Sequence, residues 1–297
     1  MLRPKGQVAK PQPGAPVVSV IVCIHNALED VWNCISSVLE TEVDVPWEMI
    51  LVDDGSEEPT AAFVRETAAN HDHVRALRNE KAGGYTVAAN TGLRAARGRY
   101  LALLNSDTIV PKRWLEKIIK VFETHRGVGI VGPLSNAASW QSVPQRSRPE
   151  GGWAINSLPD GWSVDQMDSC VERAALGLVY PRVPLANGFC YCIHRDLLDA
   201  IGLLDEAAFP RGFGEEDDYC LRAANAGFGA MLAIDTYVFH AKSKSYGSAQ
   251  RDALSKRGQG SLKKKHGAAR LKRSTETMKI NPSLAEMRHR VSEMTPS

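Results

Sequence analysis

"LALLNSDTIVP", Leu101 to Pro111, is an apolar run that ends on Asn105, Ser106 and Asp107 and then meets a proline. Uninterrupted apolar residues are what a strand needs when both faces of its sheet are covered. Pro111 suits the first turn of a helix, where the missing N–H has no partner to lose. The stretch reads as one strand-to-helix unit with a carboxylate at the strand tip. Upstream, "VVSVIVCI" (17 to 24) is a second such run. Leu28, Val31, Trp32, Ile35, Val38 and Leu39 follow it at helical spacing, with Asn26 as the expected cap. "EMILV" (48 to 52) leads into "DDGS" and a helix over 61 to 70. A third strand is expected over 74 to 77, then a turn at Gly83 and Gly84, a helix over 87 to 97 and the strand "YLALL". Trp114, Leu115, Ile118, Ile119 and Phe122 form the helix after Pro111, and "VGIVG" (128 to 132) closes the series. Repeated βα units of this length predict an α/β fold, a Rossmann-like doubly wound, mostly parallel sheet.

Composition narrows the function classes. The chain has 297 residues, 43% of them hydrophobic, enough for one large domain or two small ones. A net charge of +2 argues against a polyelectrolyte built for nucleic acid, so no nucleic-acid partner is expected. Cys23, Cys34, Cys170, Cys190, Cys192 and Cys220 are scattered in apolar surroundings, which suits reduced thiols and the cytoplasm. Cys190 and Cys192 lack a second pair at zinc spacing and read as core strand. No stretch reaches the roughly 18 apolar residues of a membrane span. Arg3, Lys5 and Lys10 ahead of an apolar run imitate a secretion signal. Prolines and the following His25-Asn26 argue instead for a disordered tail over 1 to 16.

After Pro133 the texture changes. Residues 134 to 186 are rich in Ser, Pro, Gly and Asn and carry Trp140, Trp153 and Trp162, which suggests a functional loop, a lid or a small insertion. "GFCYCIH" (188 to 194) restores regular structure. Helices are expected over 196 to 201 and 216 to 226, and short strands over 231 to 234 and 237 to 239. Beyond His240 the chain is basic and weakly apolar, so residues 248 to 297 are expected to be a helical extension or tail with a disordered end.

In an open parallel sheet, ligands bind beyond the carboxyl ends of the strands. Cys23, His25 and Asn26 follow the first strand, Asp53 and Asp54 the second, and Asn105, Ser106 and Asp107 a later one, so these should converge. Neither a G-x-G-x-x-G dinucleotide fingerprint nor a Walker loop is present, which removes hydride transfer and P-loop chemistry. Two further clusters stand out: "GFGEEDDYCLRA" (212 to 223) and "VFHAKSKSYG", with His240 at a strand end and Lys242, Lys244 and Tyr246 behind it. Four acids at a helix start also suit the helix dipole. Asp218 fits a cap or a pair with Arg222.

Taken in order, "LVDDGS", Asn90-Thr91-Gly92, "LLNSDTIVP", "NGFCYCIHRDLL", "GFGEEDDYCLRA" and "VFHAKSKSYG" resemble a family-2 glycosyltransferase of the GT-A fold over about residues 17 to 247. Within it, 17 to 132 would be the nucleotide-binding half and 133 to 247 the acceptor and catalytic half. The motifs are individually loose; their order makes the set specific. They are most similar to bacterial enzymes of rhamnose-containing or O-antigen-type surface polysaccharides. The resemblance implies a nucleotide-diphosphate sugar donor (UDP-, dTDP- or GDP-linked) and a glycan or lipid-linked acceptor. It also implies Mn²⁺ or Mg²⁺ held by Asp107, the last acid of a D-x-D motif, and by His240. Asn105 stands where that motif usually begins with an Asp on the ribose.

The catalytic base is normally the Asp of an "ED" pair, which here reads Glu215-Glu216, so the role falls to Glu216 or to Asp217. Asp54 matches the position that hydrogen-bonds the nucleotide base, and Cys23, His25 and Ser106 lie beside it at the strand ends. Lys81 and Gly84 fit either the nucleotide pocket or an exposed turn. Gly188, Glu215 and Trp140 fall on the acceptor side, where indole rings would be a sugar-stacking surface or simple lid packing. Lys242, Lys244 and Tyr246 fit a lid over the diphosphate or a solvated tail. The basic run 255 to 273 fits peripheral contact with anionic lipid or a solvated helix. A non-catalytic sugar-binding relative and an NDP-sugar pyrophosphorylase are the rivals. The second should carry a Gly-rich basic loop after the first strand, and "CIHNALED" does not.

Overall fold

A computed structural model describes residues 16–242 and 248–296. Of the tail expected over 1 to 16, residues 1 to 15 lie outside the described residues, as do Lys244 and Tyr246. The first half alternates as β1 (Val18–Ile24), α1 (Leu28–Leu39), β2 (Trp47–Asp54), α2 (Glu58–Asn70), β3 (Val74–Asn79), α3 (Tyr85–Ala95) and β4 (Tyr100–Asn105). It continues through β5 (Thr108–Ile109), α4 (Trp114–Thr124) and β6 (Val128–Leu134). The second half holds α5 (Val164–Ala174), β7 (Arg182–Val183), β8 (Cys190–His194), α6 (Arg195–Ile201), α7 (Glu215–Asn225), β9 (Gly229–Tyr237) and β10 (Phe239–His240). Three helices end the chain: α8 (Ser248–His266), α9 (Ala268–Lys279) and α10 (Pro282–Met294).

Eight strands form one sheet in the order β3-β2-β1-β4-β8-β6-β9-β7, and β10 pairs with β5 in a separate two-stranded ladder. β1 is parallel to both β2 and β4, with Cys23 opposite Val52 on one side and Asn105 on the other. β8 runs antiparallel between β4 and β6, which restores the common sense for β6 and β9. The pleat explains the unbroken apolar runs. Ile21, Cys23, Ile50, Val52, Leu101 and Leu103 face one core with α3, α5, α7 and α10. Val20, Val22, Met49, Leu51, Ala102 and Leu104 face a second core with α1 and α4. Each strand is thus buried twice, and successive residues serve different cores.

Several expectations are corrected. Asn26 does not cap α1: its backbone is left-handed, and its side chain instead accepts the Glu57 N–H at 2.7 Å, tying the first strand tip to the second. The two strands expected over 231 to 239 are one long strand, β9, followed by the two-residue β10. The insertion contains an unforeseen helix, α5, opened by a reciprocal capping box between Ser163 and Gln166. Nor is the end of the chain disordered. Leu284, Met287 and Val291 recur at i, i+3 and i+7 and are buried in α10, joining the core that contains α5. The polar surface of these helices lowers mean hydropathy and hides that stripe from a compositional reading.

α8 is fastened to the second half through Asp218, which is fully buried and reached by Lys265 and His266, each at 2.7 Å, and by Arg222 at 2.9 Å. Burial alone would raise the Asp218 pKa; the hydrogen bonds from Lys265 and His266 and the Arg222 charge outweigh it and hold the carboxyl low.

Candidate functional site

The strand tips of β1, β2 and β4 open into a cleft of about 630 Å³, whose far wall is the start of α7. That size suits a nucleotide sugar. Cys23, His25, Asp54, Gly84, Asn105, Ser106 and Asp107 line it from the first half, and Gly188, Glu215, Glu216 and His240 from the second. Of the residues singled out in the sequence, Lys81, Trp140 and Asp217 are not part of this lining. Lys81 is exposed on the loop outside the cleft. Trp140 is turned to Trp153, edge to face at 4.8 Å, with the Arg146 guanidinium 5.3 Å from its ring. Tyr85, Asn187, Phe189, Arg211, Phe213 and Lys242 complete the walls. Tyr85 and Arg211 come from a helix start and a loop that carry no periodic or acidic signal in the sequence, whereas Phe189, Phe213 and Lys242 lie within stretches quoted above.

Asp107 sits on the tight turn between β4 and β5. The β5–β10 ladder sets Thr108 opposite His240, and the Ala241 N–H donates to the Asp107 carbonyl at 2.9 Å. His240 Nε2 consequently lies 3.3 Å from Asp107 Oδ1. The imidazole stacks on Phe189 at 5.4 Å, with the ring planes 15° apart. Its Nδ1 is 3.2 Å from the Ala137 carbonyl, which can only accept, so that nitrogen carries the proton. The Nε2 lone pair of a neutral ring then faces a carboxylate oxygen. The pair sets an imidazole nitrogen and a carboxylate oxygen side by side in the wall of the cleft. Oxygen and imidazole together suit Mn²⁺ or Mg²⁺, so the residues fit the ion the resemblance implies. Among the described residues no group of three or more such ligands occurs, which leaves the remaining coordination positions to ligand or water.

Asp54 is 4% exposed and accepts from Asn79 Nδ2 at 2.7 Å, from the Gly83 N–H at 3.0 Å and from the Gly84 N–H at 2.8 Å. Its carboxylate therefore shapes the loop at the head of α3 as well as lining the cleft. Gly84 is required there. Its φ is 93°, and a Cβ would lie 2.7 Å from the Pro210 carbonyl. Asp53 points elsewhere, accepting the Ser56 N–H at 2.8 Å and pairing with Arg78, so of "DDGS" one acid builds the turn and the other faces the site.

On the opposite wall Glu216 accepts the Gly214 N–H through Oε2 at 3.1 Å. The bare Cα of Gly188 lies alongside it: a Cβ built there would meet Glu216 carbons at 3.5 to 3.6 Å. Glu215 is 5% exposed, and its Oε2 has no hydrogen-bond partner among the described residues. Burial, reinforced by the negative charge of Glu216, pushes its carboxyl well above the usual range. Asp217 is pushed up to about 8, first by burial and then by Glu216.

The Asp217 shift has a consequence for stability. Between the unfolded value near 3.8 and about 8, the folded chain holds a proton that the unfolded chain has shed, so stability falls as pH rises through that window. Asp217→Asn cannot titrate and escapes this loss. Its melting temperature should pull ahead of the wild type between about pH 5 and about pH 8. A constant difference across the series would refute the shift.

Comparison with known proteins places this geometry. The model of glycosyl transferase family 2 matches residues 19–163. Glycosyltransferase AglE of Haloferax volcanii is 25% identical over 228 residues, 76% of this chain and 67% of that protein. A teichuronic acid biosynthesis glycosyltransferase assigned to TuaG of Bacillus subtilis, itself a putative assignment, is 36% identical over 102 residues, 34% of this chain and 40% of that one. Protein y4gI of Sinorhizobium fredii matches 80% of this chain but only 26% of its own length, so the chain spans a minor part of some curated relatives. Among solved structures, the mannosyltransferase PcManGT from Pyrobaculum calidifontis, in complex with GDP-Man and Mn²⁺, superposes with a TM-score of 0.56 at 18% identity. That match covers 98% of this chain and 89% of PcManGT. GalNAc-T7 with UDP, GalNAc and Mn²⁺ gives 0.61 at 16% identity, covering 95% and 55%. These two likenesses establish the GT-A fold.

Proposed function

We propose, from the premise that this chain carries a glycosyl transferase family 2 domain, that it moves a sugar from a nucleotide-diphosphate donor to a hydroxyl of a glycan or lipid-linked acceptor, with inversion. The observation that carries this reading is the placing of Asp107 and His240, 3.3 Å apart, in the same cleft as Glu216. Asp107 and His240 would hold Mn²⁺ or Mg²⁺, which supplies positive charge to the departing diphosphate. In the displacement, the acceptor oxygen bonds to the anomeric carbon as the bond from that carbon to the diphosphate oxygen breaks. Glu216 takes the hydroxyl proton as general base. One of its oxygens is fixed by the Gly214 N–H, which leaves the other for the acceptor. Glu215, buried beside it and lining the cleft, would contact a sugar oxygen. Asn105 and Asp54 lie at the strand tips where the ribose and base would rest.

Bacterial surface-polysaccharide assembly is the setting we favour, because the motif order resembles such enzymes and the TuaG assignment points the same way. Among the described residues no helix is long and apolar enough to cross a membrane. Lys263 and Lys264 on α8 and Lys272 and Arg273 on α9 are exposed, which supports peripheral contact with an anionic surface for a lipid-linked acceptor.

A melting series with UDP, dTDP and GDP, each with Mn²⁺ and with EDTA, tests the reading. One nucleotide class should raise the melting temperature only when metal is present, by several degrees at saturating ligand. Absence of any metal-dependent rise across the three would count against the donor site. Binding without detectable transfer or donor hydrolysis would favour a non-catalytic sugar-binding protein.

A further inference from the structure

Residues 135–142, "SNAASWQS", open the segment whose composition suggests a lid, yet their polar side chains are among the most buried in the protein. Ser135 and Ser142 are 0% exposed, and Asn136 and Gln141 1%. The turn leaves β6 at the same edge of the sheet as the cleft. Asn136 grips the backbone of His240 from both sides: its Oδ1 accepts the His240 N–H at 2.7 Å, and its Nδ2 donates to the His240 carbonyl at 3.1 Å. The next residue, Ala137, supplies the carbonyl that orients the imidazole. Five residues on from Asn136, Gln141 donates to the Pro133 carbonyl at 2.6 Å and accepts the Asn187 N–H at 2.6 Å. Asn187 precedes Gly188, the residue that lies along Glu216. From outside, Arg288 of α10 donates to the carbonyls of Trp140 and Ser142, so the C-terminal helix closes over the turn.

We propose that this turn is the positioning element of the catalytic half, with Asn136 setting the metal-ligating nitrogen of His240 toward Asp107 and Gln141 setting the Asn187-Gly188 backbone against Glu216. The inference rests on the functional reading given above. A bidentate amide fixes both backbone polar groups of one residue, and so the two peptide units that flank its Cα, which a single hydrogen bond cannot do. Outer partners of a metal-ligating histidine commonly govern affinity by about 10- to 100-fold. Asn136 and Gln141 are positioning residues, since neither lines the cleft. One buried turn thus ties His240 on β10 and the loop before β8, and the two variants below separate their failure modes.

The test is Mn²⁺ binding to the full chain, read by loss of the free-ion electron paramagnetic resonance signal in the presence of UDP, dTDP or GDP. Asn136→Ala should weaken Mn²⁺ binding by at least about tenfold. Gln141→Leu removes an equally buried amide from the same turn without touching His240. It should leave Mn²⁺ affinity within about twofold and raise the KM for the acceptor, which makes it the control for general loosening. Equal loss of Mn²⁺ affinity in both variants, or none in Asn136→Ala, overturns the assignment. A wild-type chain that binds no Mn²⁺ with any of the three nucleotides overturns the metal site itself, and this inference with it.

Discussion

Asp107→Ala is expected to lower glycosyl transfer by at least about 100-fold, in line with the loss of one preorganised group that stabilises developing charge. Three features make the effect large. Asp107 is held on a two-stranded ladder, so its carboxylate is aimed before any ligand arrives. On the proposed reading it is one of two protein ligands to the cation, so removal leaves His240 alone. His240 is itself 5% exposed and fixed by Ala137 and Phe189, and it cannot move to compensate. The fold should be little affected, because the main-chain link from Ala241 to the Asp107 carbonyl survives the substitution. The measurement is transfer to acceptor together with a melting curve. Full activity in a well-folded variant would remove Asp107 from the metal role, and a collapsed melting temperature would make it a structural residue instead.

Glu216→Gln is expected to retain nucleotide binding and lose transfer by about 10²- to 10⁴-fold, the span for removing a general base. Glutamine keeps the acceptor oxygen for the Gly214 N–H and nearly the same volume beside Gly188, so the wall of the cleft stays in place. Only the proton acceptor goes. The same substitution at Asp217, to asparagine, is expected to leave transfer largely intact: Asp217 is not part of the cleft lining and is protonated through most of the neutral range. The pair of variants is decisive as a pair. Unchanged turnover in Glu216→Gln with loss in Asp217→Asn would move the base to Asp217. Loss of nucleotide binding in Glu216→Gln would mean that Glu216 holds the donor.

Much of the site is legible in the sequence because it sits at strand tips. A strand buried on both faces admits polar residues only where it leaves the sheet, so Asp54, Asn105 and Asp107 stand out against the apolar runs before them. Glu216 is visible for a related reason, as part of an acidic helix start framed by Gly212 and Gly214. Asn136, Gln141 and Arg211 give no such signal. They lie in stretches of ordinary loop composition, and their importance comes from what the fold brings to them. Trp140 illustrates the converse. An indole in a variable segment suggests a sugar platform, whereas the turn that buries Gln141 directs Trp140 to Trp153.

By itself the sequence determined the βα alternation, the parallel sheet and the identity of the acids at its edge, because periodicity and burial are local properties of a chain that must satisfy its own backbone. Tertiary structure decided which of these residues meet. Asp107 and His240 are separated by more than a hundred positions, and the pairing of β5 with β10, which sets Thr108 opposite His240, brings them together. The roles of two adjacent acids, Glu216 in the cleft and Asp217 outside it, follow from the direction each takes on the first turn of α7. Helix geometry sets those two directions about 100° apart, and only the docking of α7 beside Gly188 decides which of them faces the cleft.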